Sequence, residues 1–240
     1  TGTNSRLAED MLAVGPGDSI SYVNANGVFV VDPGASQPIR HFRPSEFGFP
    51  SDRTDAVAVD SGNNFWLRLQ DEIVRIPATR PQEWQRFSQP AFFGPSSSTD
   101  HARLQLVETP DGSMWLAGRF GLARYDSNSD RLINFRHDPG DPRSLPQTLG
   151  EIGYRIFLDD FGVLWVGANL GGLARLTPQS DRFTHLQDSK PSLISRNIVR
   201  AVAEHQIDSR EVVWVANQNA GVSVWRRNAP GDYEIIHHYP

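Results

Sequence analysis

The chain has 240 residues, 38% of them hydrophobic and 21% charged, with a formal net charge of −5. That length can bury a sizeable core, and that balance offers nucleic-acid phosphates and anionic lipid no general attraction. Cysteine is absent, which excludes disulfides and thiolate metal sites and leaves the redox compartment open.

No apolar run approaches the roughly 18 residues of a membrane span, and no signal peptide opens the chain. The first residue is Thr1, not Met, so the sequence is expected to be part of a longer protein. The 20 glycines and 17 prolines sit between short apolar runs, the pattern of many short strands joined by tight turns. Only the stretch near Arg6 to Leu12 has a helical pattern, and it is short.

From there the chain repeats. Ile20, Gly27-Val-Phe-Val-Val31 and Ile-Arg-His-Phe42 form a first unit, in which Ile20 is expected where later units carry tryptophan. The later units carry Trp66, Trp115, Trp165 and Trp214, spaced 49, 50 and 49 residues apart. Acidic turns with glycine precede the first three: Asp60-Ser-Gly62, Asp111-Gly112 and Asp159-Asp-Phe-Gly162. Glycine follows Trp115, Trp165 and Trp214 at Gly121, Gly172 and Gly221, and each opens an apolar strand; these turn glycines are expected at positive φ. A closing element with an aromatic and a histidine ends three units, as in Asn-Phe-Arg-His137, Phe-Thr-His185 and Ile-Ile-His-His238.

Each unit reads as four strands. Around Trp165 they are Tyr154–Leu158, Leu164–Ala168, Leu173–Leu176 and Arg182–Leu186. Four short antiparallel strands repeated every 49 residues or so predict an all-β protein, a β-propeller or a fragment of one, with about five blades. The predicted blades are 13–50, 51–98, 99–145, 146–195 and 196–240, one propeller region in all. One such sheet covers only part of its own faces, so the sheets must stack and the tryptophans belong in the core between them. The residues His205-Gln-Ile-Asp-Ser-Arg-Glu211 lengthen the first hairpin of the last unit.

These motifs resemble the two-component regulator propeller repeat family. The likeness rests on Asp159-Asp-Phe-Gly-Val-Leu-Trp-Val-Gly-Ala-Asn-Leu-Gly-Gly-Leu-Ala-Arg175 and on two linkers, His137-Asp-Pro-Gly-Asp-Pro-Arg-Ser-Leu-Pro146 and Ser189-Lys-Pro-Ser-Leu-Ile-Ser-Arg-Asn-Ile-Val199. In the linkers, proline keeps the crossing extended and leucine is expected beneath the next sheet. The resemblance implies a periplasmic sensor region of a membrane-anchored bacterial receptor, a hybrid sensor histidine kinase or a diguanylate cyclase. It implies ligands such as oligosaccharides, and rings of seven blades. Five units fall short of such a ring, so the remaining blades, or a second copy of the chain, are expected partners.

No catalytic constellation is legible, and no cofactor or metal is expected. His41, His137, His185 and one of His237 and His238 share one place in the repeat, which marks an outer-strand role; His101 and His205 stand apart from it. No two histidines have helical ligand spacing with a carboxylate. Asp159-Asp160 recurs at a turn and reads as turn chemistry rather than acid–base chemistry.

A ligand is expected where a propeller's channel opens, at the loops entering the first strand and those joining the second to the third. The first kind contains Asp55, Arg103, Tyr154, Arg155, Arg196, Asn197 and Arg200. The second contains Arg119, Asn169, Asn217, Gln218 and Asn219. Such side chains suit sugar hydroxyls or carboxylates. A non-catalytic sensor is therefore the expected function, ahead of a protein-interaction scaffold. A glycosidase or lyase would need a second carboxylate near Asp55.

Overall fold

The computed structural model describes residues 12–15, 18–34, 39–52, 54, 56–69, 72–77, 79–88, 105–119, 121–148, 153–169, 171–176, 180, 182–186, 198–207, 210–218, 220–229 and 232–240. Their regular structure is almost wholly strand, in five four-stranded antiparallel sheets. The first sheet is β1 (Leu12–Val14), β2 (Ile20–Asn24), β3 (Gly27–Val31) and β4 (Ile39–Phe42). The second is β5 (Ala56–Val59), β6 (Asn64–Leu69), β7 (Glu72–Pro77) and β8 (Gln85–Ser88). The third is β9 (Gln105–Glu108), β10 (Met114–Ala117), β11 (Leu122–Asp126) and β12 (Arg131–Phe135). The fourth is β13 (Tyr154–Leu158), β14 (Leu164–Ala168), β15 (Gly172–Leu176) and β16 (Thr184–Leu186). The fifth is β17 (Val199–Ile207), β18 (Arg210–Asn217), β19 (Gly221–Ala229) and β20 (Asp232–Tyr239).

In every sheet the strands lie in chain order. The strands predicted around Trp165 are present, two of them with the predicted bounds. β17 and β18 are the long pair expected in the last unit, their pairing extending to Ile207 opposite Arg210. The helical pattern before Leu12 lies outside the described residues, and Leu12 itself opens β1.

The chain divides into two compact units, Thr1–Arg119 with Ala123–Ile133 and Phe120–Leu122 with Asn134–Pro240. In the first unit, Val23, Val28 and Val30 of the first sheet pack with Val57, Phe65, Leu67 and Val74 of the second. Trp66, Ile73 and Phe87 pack with Leu106, Met114, Leu116 and Ala123 of the third. In the second unit, Trp165 and Leu173 pack with Val199, Val213, Val215 and Trp225. β14 is buried at every position, while β12 is mostly exposed. β10 and β14 therefore read as continuous apolar runs, and β12 as an alternating or polar strand.

The hairpins before three of the tryptophans are one turn. Asn63, Gly112 and Gly162 each donate a backbone N–H to the carbonyl three residues earlier, at Asp60, Thr109 and Asp159. All three have positive φ, at 60°, 80° and 77°. This shifts two expected equivalences. Asn63, not Gly62, takes the left-handed place in the second sheet. In the third, Thr109 rather than Asp111 stands where Asp60 and Asp159 stand, and Asp111 instead accepts from the Thr109 hydroxyl at 2.6 Å.

Strand register corrects the first sheet as well. Trp165 faces Arg175 and Trp214 faces Val224, each three residues past the glycine that opens the third strand. The matching residue in the first sheet is Val30, and it faces Ser21. Ser21, fully buried, thus holds the tryptophan place, and Ile20 points to the other face, 37% exposed. A one-residue shift moves a side chain to the opposite face of a sheet.

Gly221 has φ 67°, as expected of it, and a Cβ there would sit 1.9 Å from the Tyr239 carbonyl oxygen. Gly121 departs from that expectation, because its φ lies outside the left-handed region. Its need for glycine is steric, since a Cβ would lie 2.4 Å from the Phe135 carbonyl oxygen.

The first linker folds onto the fourth sheet. Phe183 donates its N–H to the Arg143 carbonyl at 2.8 Å, and a His185 ring N–H donates to the Ser144 carbonyl at 2.8 Å. Arg182 pairs with Asp141, and Leu145 is fully buried, as expected of it. The second linker lies outside the described residues, apart from Ile198 and Val199.

Candidate functional site

In an antiparallel sheet ordered by sequence, the start of the first strand and the end of the second share one edge. In the second unit that edge gathers Tyr154 and Arg155, Asn169, Arg200, Asn217 and Gln218. Tyr154 pairs with Ala168 and Arg155 with Gly167, while Val199 pairs with Asn217. The fourth and fifth sheets meet closely here, because a Cβ on Gly167 would fall 2.7 Å from the Val199 side chain. Gln218 donates its backbone N–H to the Ile198 carbonyl at 3.0 Å, which holds the end of β18 against the start of β17.

The polar groups at this edge differ in how far they are committed. Tyr154 is 1% exposed, and its hydroxyl donates to the Pro146 carbonyl at 2.7 Å. Burial pushes its pKa up to about 12, so the phenol stays protonated and locks the linker. Arg200 donates to the Gln218 side chain, and both are exposed. Asn169 is 6% exposed and Asn217 is 7% exposed.

Among the described residues, neither the amide nitrogen nor the amide oxygen of Asn217 has a hydrogen-bond partner. Buried polar groups are almost always bonded, and an orphan costs about 1–3 kcal/mol. Asn217 is thus a buried donor and acceptor held ready at a sheet edge.

Of the remaining sequence candidates, Arg119 is half-buried in the turn after β10, in the first unit. Asp55, Arg103, Arg196, Asn197 and Asn219 lie outside the described residues. Among the described residues no group of three or more His, Asp or Glu side chains is placed to hold a metal ion.

Several working residues are invisible at the level of motif. Asp60 accepts the Trp66 indole N–H at 2.9 Å, and Asp159 accepts that of Trp165 at 3.0 Å. The turn carboxylate therefore also fixes the core tryptophan. The following sheet adds two contacts. Its aromatic stands edge-on to the tryptophan, Tyr125 on Trp66 at 4.9 Å and Tyr233 on Trp165 at 4.7 Å. Its first strand sends a glutamate to the preceding turn: Glu108 accepts from the Ser61 N–H and hydroxyl, both at 2.7 Å, and Glu204 accepts from the Asp160 N–H at 2.8 Å.

Glu108 and Glu204 occupy the same register place, each opposite the residue before a tryptophan. Unequal hairpin lengths put them seven and ten residues ahead of those tryptophans, which hid the match in the sequence. The partial burial of Glu204 raises its pKa, although the Asp160 N–H opposes the shift.

The first unit has a further polar network on its outer strands. Asp130, at φ 54°, accepts from the Tyr125 hydroxyl at 2.8 Å and the Gln85 amide at 2.7 Å. Gln85 in turn accepts from Arg75 at 3.1 Å. Burial, reinforced by the bond to Asp130, pushes the Tyr125 pKa up to about 12. Both carboxylate oxygens of Asp130 are engaged within the protein, which makes this a structural brace.

Comparison with known proteins bears on the fold. Neither a family model nor a curated protein matches the chain. Among solved structures, it is similar to the extracellular domain of the hybrid two-component system BT3049 from B. thetaiotaomicron, with TM-score 0.60 and 18% identity over 93% of this chain and 28% of that one. The corresponding domain of BT4673 gives 0.57 and 16% over 95% of this chain and 29% of that one. Virginiamycin B lyase from Staphylococcus aureus gives 0.58 and 14% over 98% and 71%.

The chain is an all-β protein of five propeller-type blades, akin in fold to extracellular domains of two-component systems. It spans little more than a quarter of the length of those two domains. An enzyme shares the same fold, so the fold alone leaves activity undecided.

Proposed function

We propose that the chain is a non-catalytic, ligand-sensing propeller region of a bacterial receptor, lying outside the cytoplasm and belonging to a membrane-anchored signalling protein. The observation that carries this reading is Asn217, whose amide is buried at the sheet edge with both polar atoms unbonded among the described residues. With Asn169 and the Arg200–Gln218 pair it makes a set of amides and a guanidinium group, donors and acceptors that match sugar hydroxyls and carboxylates. No described member of the set is a carboxylate, which favours binding over hydrolysis. The likeness in fold to extracellular domains of two-component systems supports the compartment and the signalling role.

Binding would order this edge between the fourth and fifth sheets and shift the packing there, the change an output domain would read. The test is a thermal-shift and calorimetric screen of the whole chain against neutral and acidic oligosaccharides, amino acids and small carboxylic acids. A melting shift with one class, weakened at least about tenfold by Asn217→Ala, supports the reading. Turnover of any of these compounds would replace it with an enzyme.

A further inference from the structure

The second and third sheets share a buried core through Trp66, Ile73, Leu106, Met114 and Leu116, and each has a further sheet before and after it in the chain. Beyond that core their fourth strands, β8 and β12, stand apart around a groove of about 420 Å³. Gln85, Arg86 and Phe87 line it from β8, and Asp130, Arg131 and Leu132 line it from the start of β12. All six belong to the first compact unit.

The source of the covering aromatic explains the opening. In the second unit the ring on Trp165 is Tyr233, carried by a fourth strand, β20. In the first unit the ring on Trp66 is Tyr125, carried by a third strand, β11, and tied through its hydroxyl to Asp130 at 2.8 Å. β12 thus brings Leu132, not an aromatic, to the gap beside Phe87.

β8 and β12 are the last strands of their sheets, so one side of each backbone has no neighbouring strand among the described residues. Phe87 and Leu132 face the core between the sheets. Side chains alternate along a strand, so Arg86 and Arg131 turn theirs away and line the groove with main chain. The Arg86 guanidinium accordingly lies over Phe49 and Trp84, 4.9 and 5.5 Å from their ring centres, and pairs with Glu72 at 3.1 Å. Of the six residues, Asp130 is left as the one that turns a charge into the groove. Each of its oxygens accepts one bond, from Tyr125 or from Gln85, and keeps a second acceptor position. Arg75 is bound to Gln85 and stacked on Trp66 and Tyr125, outside the lining.

We propose that this groove binds an extended peptide segment of a partner protein, which adds a strand to the open edge of β8 and directs a lysine or arginine side chain to Asp130. Strand addition draws affinity from main-chain hydrogen bonds and specificity from alternate side chains. The open edge supplies the first. The carboxylate, with Phe87 and Leu132 beside it, supplies the second and disfavours an acidic segment. At about 3.3 Å per residue, the four residues of β8 match a segment of four or five. The proposal is independent of the ligand edge in the second unit.

The probe is a fluorescein-labelled pentapeptide of alternating valine and lysine, titrated into the whole chain and read by fluorescence anisotropy. A Kd of about 100 μM or tighter is expected. The matching valine–glutamate peptide, and the valine–lysine peptide N-methylated along its backbone, should each bind at least about tenfold more weakly. Asp130→Asn removes the charge, keeps an acceptor for the Tyr125 hydroxyl and suits the left-handed backbone there, at φ 54°; it should weaken binding about tenfold. Leu132→Trp fills the groove with Asp130 intact and should abolish binding, circular dichroism showing that each variant is folded. Failure of the valine–lysine peptide to bind overturns the proposal. So does binding that N-methylation or Leu132→Trp leaves unchanged, since the peptide is then held by surface charge elsewhere.

Discussion

The Tyr233 hydroxyl donates to Asp159 Oδ2 at 3.2 Å, the same oxygen that accepts the Trp165 indole N–H at 3.0 Å. One carboxylate thus serves its own turn, its own core tryptophan and the next sheet. Its other oxygen accepts the Phe161 and Val163 backbone N–H groups at 3.0 and 2.8 Å. Asp159→Ala strands several buried donors at once and is expected to cost about 3–5 kcal/mol in urea unfolding. Tyr233→Phe removes one donor and keeps the edge-on ring, so about 1 kcal/mol is expected. Equal losses would mean that the tyrosine, not the turn, organises the contact.

Glu204 gives the contact between the fourth and fifth sheets a pH dependence. Its pKa is raised above the ordinary 4.5 by burial, so the folded chain holds this proton more tightly than the unfolded one. The folded state therefore loses stability as pH rises from about 4.5 through the folded value. Glu204→Gln removes that loss and still offers an oxygen to the Asp160 N–H. The melting temperature of the variant relative to the parent should climb between pH 4 and pH 7 in a pH-resolved thermal scan; a constant offset would exclude the mechanism.

Ser21 is a tryptophan place filled by a hydroxyl that is fully buried and has no partner among the described residues. Ser21→Ala removes an unpaired polar group with little change in volume. It is expected to stabilise the first unit by about 1 kcal/mol, read as a higher denaturant midpoint.

Gly167 and Val199 form a size-matched pair across the two sheets of the second unit. Gly167→Ala places a Cβ 2.7 Å from Val199 and is expected to cost about 1–3 kcal/mol. In the background of Val199→Ala that cost should shrink, and a double-mutant cycle measures the coupling.

Asn217 sets stability against binding. Asn217→Val replaces an orphaned amide by an apolar side chain and should raise the melting temperature of the ligand-free chain while abolishing the ligand-induced shift. A variant that is less stable than the parent would show that the amide is a structural element.

Much of the architecture was legible because strands, turns and repeat period are local properties. The spacing of Trp66, Trp115, Trp165 and Trp214 and the turns before three of them led directly to four-stranded blades, and around Trp165 to strand bounds within two residues. Legibility stopped where a side chain's role depends on its face or on a neighbouring sheet. Ile20 looked like a worn tryptophan because it is large and apolar, yet pairing with Val30 gives that place to Ser21. Tyr154 looked like a ligand group, and its hydroxyl belongs to the linker.

By itself, the sequence determined that the chain is built of stacked four-stranded sheets, since alternation, turn residues and a regular period leave no other way to bury the tryptophans. Only the tertiary structure decided which residues join those sheets. Glu204 meets the turn at Asp160, Tyr233 meets Asp159, and Asn217 is buried without a partner among the described residues, because register fixes the face of every side chain, and stacking fixes what that face meets.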